Sequence, residues 1–256
     1  AALTVLDTHG GAGLYRLDGD YASKSGEAED GVLRLAAAKE SELAPVLQQY
    51  LQMVRHFNQG SSVRNYPGSP FITQSLLRGH DRLKAFELHP TDMRSLTGNM
   101  AQLEVPRQVA VLLEDGFEGV KKFLPPPSRR ALLLCDPSYE LKSDYGRVLD
   151  MMTDSLKRFP TGTYAVWYPI IPRPEAHDLP KRLKTMATKA GKSWLHATLT
   201  VKSNKTSERG GLPASGMFLI NPPFNLKDQL KPAMPQLVKL LGQDENAAFT
   251  LEAGGK

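Results

Sequence analysis

The sequence predicts an α/β protein: a Rossmann-like, mostly parallel seven-stranded sheet with helices on both faces and a small helical subdomain inserted near its start. Three observations carry that prediction. Ala131 to Cys135 is an unbroken apolar run, the signature of a strand buried on both faces, and it stops at Asp136-Pro137-Ser138-Tyr139. Leu3 to Leu6 is a second apolar run, and it feeds the glycine-rich turn Asp7-Thr8-His9-Gly10-Gly11-Ala12-Gly13. Downstream, strand-like and helix-like segments alternate, as they do when crossover helices connect parallel strands.

Taken in order, the first strand and its turn allow close backbone approach to a ligand, because glycine tolerates tight turning. Gly11 and Gly13 belong to neither a dinucleotide fingerprint nor a phosphate-binding P-loop, since no Gly-x-Gly-x-x-Gly spacing and no following Lys is present. His9 reads as a capping or core histidine or as a ligand contact. The polar and then alanine-rich stretch after it leads to Leu43, Val46, Leu47, Tyr50, Leu51, Val54 and Phe57 at helical spacing. Residues 20–62 are therefore expected to form the inserted subdomain, with that stripe as its core.

Ser69 is placed as the N-cap of a helix through Arg78, with Pro70 in its first turn, and that helix start beside the glycine turn suits an anion. The second sheet strand, 83–87, ends in Glu87, an acid positioned for ribose hydroxyls. A third, from Gln108 to Leu113, ends near Asp115-Gly116, where Asp115 either accepts from an adenine amine or caps a helix over 117–124. Helices are expected over 143–158 and 174–191, strands over 162–169, 194–201 and 214–220, the last two forming an antiparallel edge hairpin.

The Asp136 loop is chemically suited to a planar base bearing an exocyclic amine. Asp136 accepts one amine hydrogen, the Pro137 carbonyl a second, and Tyr139 offers a stacking face. Asn221-Pro222-Pro223-Phe224 has the same grammar, but it follows an antiparallel strand. It is read as a structural turn at the opposite edge of the sheet.

The bulk properties are permissive. The 256 residues suffice for one large domain, and the net charge of +5 favours a polyanionic partner. A cluster of Lys181, Arg182, Lys184, Lys189, Lys192, Lys202, Lys205 and Arg209, with no acid between 179 and 207, is read as a nucleic-acid surface. The single cysteine, Cys135, excludes an internal disulfide and is read as a reduced core thiol. No apolar run is long enough to span a membrane, so a cytoplasmic protein without membrane or metal is expected.

Asp136-Pro137-Ser138-Tyr139 resembles the Asp/Asn-Pro-Pro-Tyr/Phe signature of adenine-N6 methyltransferases, with Ser138 where a second proline usually stands. Together with Leu6 to Gly13, Tyr66 to Pro70, Glu87 to Pro90, Asp115 to Phe117, Gly162 to Pro169 and Ala214 to Pro223, it makes nearly the whole chain resemble the RlmJ family. Those are bacterial 23S ribosomal RNA adenine-N6 methyltransferases. The resemblance implies a class I S-adenosylmethionine-dependent methyltransferase fold in a single domain over residues 1–256, and a monomer is expected. It further implies a cofactor site lined by His9, Ser69, Glu87, Asp115 and Gly116, beside Asp7, Gly11 and Gly13, with Asp136 as the catalytic residue. The family also carries a His- and Lys-containing N-terminal segment that this sequence lacks, so weak cofactor binding is expected. The rival readings are a DNA adenine-N6 methyltransferase and a non-catalytic nucleic-acid-binding protein linked to use of external DNA.

Stated plainly, the expectation is one methyltransferase domain spanning residues 1–256, active as a monomer, with S-adenosylmethionine as cofactor and 23S ribosomal RNA as partner.

Overall fold

The computed structural model describes residues 1–17, 26–60, 62–105, 107–203 and 211–255. Strand β1 (Thr4–Asp7) enters the glycine turn and is followed by the short β2 (Leu14–Arg16). A helical turn over Glu29–Leu33 runs into α1 (Arg34–Ala37), then α2 (Pro45–His56). Strand β3 (Asn65–Pro67) pairs with β2 as a separate hairpin, and α3 (Ser69–Leu76) follows it. Next come β4 (Arg82–Phe86), α4 (Pro90–Ala101), β5 (Val109–Leu112), α5 (Gly116–Gly119), β6 (Ala131–Cys135) and α6 (Ser143–Arg158). The chain continues through β7 (Thr163–Pro169), α7 (Pro174–Lys189), β8 (Trp194–Thr200), β9 (Ala214–Ile220), α8 (Leu226–Leu241) and β10 (Ala248–Gly254).

The large sheet has the order β10-β8-β9-β7-β6-β1-β4-β5. Strands β5, β4, β1, β6 and β7 are parallel, and β9 runs antiparallel between β7 and β8. The expected seven strands are thus eight, because β10 adds an antiparallel edge beside β8. The β1 strand lies between β4 and β6, so the chain leaves it in one direction for β4 and returns on the other side for β6. That is the switch point at which α/β sheets hold ligands.

Packing follows from the apolar runs. Leu6, Leu133, Cys135 and Val166 bury under Tyr145, Val148, Met152 and Leu156 of α6 and Leu179 and Leu183 of α7. On the other face Val5, Leu83 and Ala85 meet Phe71, Leu96 and Met100. Burial pushes the Cys135 thiol up to about 12, so it stays a protonated core group.

The helical stripe is core, as its spacing predicts: Leu47, Leu51 and Val54 are buried, and the α1–α2 region packs on Ala233, Leu237 and Leu240 of α8. Residues 20–25 and 61 of the expected subdomain lie outside the described residues. The α8 helix contains Pro232 and Pro235, both on its exposed side. Among the described residues, no helix is long and apolar enough to cross a membrane.

Candidate active site

The parallel register brings the acids together. Asp7 is level with Ala85 on β4 and Leu134 on β6, which sets His9 near the level of Glu87 and Asp136. Each strand thus delivers one or two polar side chains to the carboxyl edge of the sheet.

Backbone geometry shapes the turn between them. Gly11 and Gly13 have φ of 57° and 79°, the left-handed region that favours glycine. The Gly11 amide donates to Glu87 Oε2 at 2.8 Å, and the His89 amide donates to Oε1 at 2.7 Å. Glu87 therefore ties the glycine turn to β4. Gly116 abuts β1 so closely that a Cβ there would lie 2.1 Å from the Thr8 carbonyl oxygen. Only glycine fits that approach.

Asp7 is fully buried, and desolvation pushes its carboxyl up to about 6; the Ser69 hydroxyl and His9 amide oppose that rise, and Glu87 adds to it. Its Oδ2 has no hydrogen-bond partner within the protein. A buried acceptor without a donor is costly on its own, so this atom is suited to a donor from a ligand. His9 places Nδ1 2.7 Å from the Thr8 hydroxyl and its ring edge-on to Phe117. Burial lowers its pKa to about 4, which leaves the imidazole neutral at physiological pH.

Asp136 has its carboxyl raised to about 7, first by desolvation and then by the charge of Asp7. More than a third of the residue is nonetheless exposed at the cleft mouth, where water screens it. The upward direction stands on the crowding and on Asp7, and a base filling the cleft would displace that water and strengthen the shift.

Several expectations need correction. Tyr139 offers no stacking face: it is 2 % exposed, its hydroxyl donates to the Trp167 carbonyl at 2.6 Å, and its ring packs on Tyr145. A tyrosine after a turn carries no sequence mark of which way its ring will point. Ser69 is not the N-cap of α3; Gly68 holds that position, and Ser69 is the first helical residue, facing Asp7. Of the two roles expected of Asp115, the structure shows the cap: it accepts from the Phe117 amide at 3.0 Å, and it pairs with Arg147. The helix expected over 117–124 is a short α-helix, Gly116–Gly119, continued by one 3-10 turn over Val120–Lys122.

The basic cluster is divided. Lys181, Arg182, Lys184 and Lys189 lie on α7, which runs away from the carboxyl edge. Lys184 sits 3.5 Å from Glu252 and over the Trp194 ring, so the acid missing from the local sequence comes from β10. Lys202 is buried at 6 % exposure, and Lys205 and Arg209 lie outside the described residues.

Three side chains at the site escaped the sequence reading. Arg147 ion-pairs with Asp115 and lies over the Phe117 ring. The Tyr15 hydroxyl accepts from the Ala12 amide at 3.2 Å, on the glycine turn. Arg173 reaches the Tyr139 carbonyl at 2.9 Å. None belongs to a motif, and only the hairpin and helix packing bring them in. A separate apolar cavity of about 840 Å³, with Val46, Leu47, Tyr50, Tyr66 and Leu237 in its walls, includes none of the site acids.

A five-strand parallel half, a switch-point glycine turn and acids at four strand ends are the architecture of a class I methyltransferase fold. The comparisons make this particular. A family model described as ribosomal RNA large subunit methyltransferase D, RlmJ, matches residues 1–252, and the chain belongs to that family. It is 39 % identical over 248 residues to ribosomal RNA large subunit methyltransferase J of Haemophilus influenzae, covering 96 % of this chain and 85 % of the relative. It is 38 % identical over 232 residues to the protein of the same name from Escherichia coli K12, covering 91 % and 79 %. A crystal structure of a Legionella pneumophila protein superposes with a TM-score of 0.86 at 27 % identity, covering 100 % of this chain and 90 % of that one.

Proposed function

We propose that this chain, one methyltransferase domain with an inserted helical subdomain, transfers a methyl group from S-adenosylmethionine to N6 of an adenine in large-subunit ribosomal RNA. The observation that carries the reading is Asp136, held at the end of β6 beside the β1 glycine turn with a raised carboxyl pKa. The names of the relatives support the RNA substrate.

The residues present fit the cofactor. Gly11 and Gly13 let the turn fold tightly through positive φ, Gly116 lets the end of β5 close on β1, and Asp7, Ser69, Glu87 and His9 bring polar groups to that edge, Asp7 Oδ2 among them without a protein partner. Asp115 stands beside them at the end of β5. When bound, S-adenosylmethionine supplies an electrophilic methyl group on its sulfonium.

The chain's own work is to make N6 a nucleophile, because its lone pair is delocalised into the ring. Asp136 and the Pro137 carbonyl accept the two amine hydrogens and draw N6 towards tetrahedral geometry, aiming the lone pair. Methyl transfer leaves N6 positively charged, and Asp136 then takes its surplus proton. A carboxylate raised towards 7 is a better acceptor for that step than an ordinary one near 3.9. Tyr139, turned into the core, offers the base no stacking face. The target adenine must be single-stranded or flipped out.

The test is labelled-methyl transfer to protein-free large-subunit ribosomal RNA in competition with duplex DNA, followed by nucleoside analysis. N6-methyladenine in the RNA at a single position is the expected result. Label in the DNA alone would replace the substrate, and cofactor binding without any transfer would make this a non-catalytic protein.

A further inference from the structure

We infer that Arg173 is a positioning residue that sets the backbone of the substrate loop, an inference that rests on reading residues 136–140 as that loop. Arg173 is the residue immediately before α7, at the carboxyl end of the β7 connection. Its Nη1 donates to the Tyr139 carbonyl at 2.9 Å and reaches the Glu140 carbonyl at 3.5 Å. One guanidinium thus grips two successive carbonyls of the loop from a neighbouring strand connection.

The loop requires holding. Tyr139 has φ of 55°, a left-handed conformation unfavourable for an aromatic residue, which persists only where surrounding contacts over-determine it. Its ring is fixed by the hydrogen bond to Trp167 and by Tyr145. Its carbonyl is fixed by Arg173. Ser138 lacks the ring that would lock φ at a second proline, so local stiffness is reduced just where the Pro137 carbonyl must point at the base. Arg173 supplies that stiffness from outside the loop.

The surroundings favour arginine over lysine. The Tyr145 hydroxyl is buried and feels the Arg173 charge, yet it closes no hydrogen bond of normal geometry; Glu175 Oε2 is likewise buried without a partner. Lys142 stands 4.0 Å from Glu175. Nη1 alone serves both carbonyls, which leaves the other N–H groups of the guanidinium for this cluster, whereas an ammonium would have to divide one nitrogen among them all.

The experiment compares steady-state kinetics of wild type, Arg173→Ala and Arg173→Lys, with cofactor binding measured by calorimetry. The expected result for Arg173→Ala is a fall in kcat of about 10- to 100-fold, with KM for S-adenosylmethionine within about twofold of wild type and full binding stoichiometry. Arg173→Lys is intermediate. Adding Ser138→Pro to Arg173→Ala restores part of kcat, and hydrogen exchange over 138–141 rises in the single variant and falls again in the double. An unchanged kcat, or a loss of binding stoichiometry parallel to kcat, overturns the inference. So does a higher KM for RNA with kcat intact, which makes Arg173 a phosphate contact. Wild-type protein that binds cofactor but methylates nothing sinks the proposed function and the inference together; normal wild-type turnover with Arg173→Ala unaltered sinks the inference alone.

Discussion

Asp136-Pro137-Ser138-Tyr139 and Asn221-Pro222-Pro223-Phe224 share one pattern, an acid or its amide, then proline, ending in an aromatic residue, and they stand at opposite ends of the sheet. The first follows a parallel strand and opens onto the switch point beside Asp7 and Glu87. The second follows β9, whose last residue, Ile220, pairs with Tyr164 near the start of β7. Asn221 spends its amide on the Pro160 and Gly162 carbonyls, at 3.0 and 2.7 Å, and Phe224 is wholly exposed. The better match to the methyltransferase signature is a structural turn, and the poorer one is the candidate site. Strand direction decides which tetrapeptide meets the cofactor cleft.

That contrast is broken or sharpened by substitution at the two ends. The largest effect is expected from Asp136→Ala, which removes the acceptor and lowers kcat by about 10²- to 10⁴-fold with folding intact, read by methyl transfer and circular dichroism. Next is Asp7→Asn. The Asp7 carboxyl is raised from an ordinary 3.8 to about 6, so the folded protein binds that proton more tightly than the unfolded chain. Folding therefore loses stability as pH rises from about 4 to 6 and stays penalised above, by about 3 kcal/mol for a shift of that size. Asp7→Asn gains up to that amount at pH 7.5 and nothing near pH 4, while binding S-adenosylmethionine more weakly; urea melts at both pH values and calorimetry check it.

At the other end, Asn221→Ala is expected to cost about 1–3 kcal/mol of stability by stranding two carbonyls, with methyl transfer per folded molecule unchanged. Asn221 also has φ of 52°, which alanine tolerates less well. Phe224→Ser is the smallest change, within about 0.5 kcal/mol and without effect on turnover, since the ring touches solvent only. A variant at 221 that abolished chemistry while leaving the fold intact would collapse the distinction.

The parallel half was legible because its strands are apolar runs that end in chemically marked residues. Asp7, Glu87, Asp115 and Asp136 lie at strand ends, where apolar runs stop, and α6 occupies the residues where a helix is expected. The C-terminal third was less legible. Pro232 and Pro235 disguise α8, tolerated because both rings face solvent, and β10 alternates weakly because most of its residues are exposed. The inward turn of Tyr139 and the reach of Arg147 and Arg173 depend on tertiary packing between elements far apart in sequence. The apparent lack of acids near Lys184 had the same origin, since Glu252 arrives from a strand beyond it in the chain.

The most direct measurement is the pH dependence of single-turnover methyl transfer to large-subunit ribosomal RNA by wild type, Asp136→Asn and Asn221→Ala. The carboxylate is the working form of Asp136, so wild-type and Asn221→Ala rates should rise with pH through a single ionisation, shifted above the ordinary carboxylate range towards 7, and then level off. Asp136→Asn keeps one acceptor oxygen but cannot take the proton, and its slower rate should lack that ionisation. An Asp136→Asn profile that matches wild type would contradict the account.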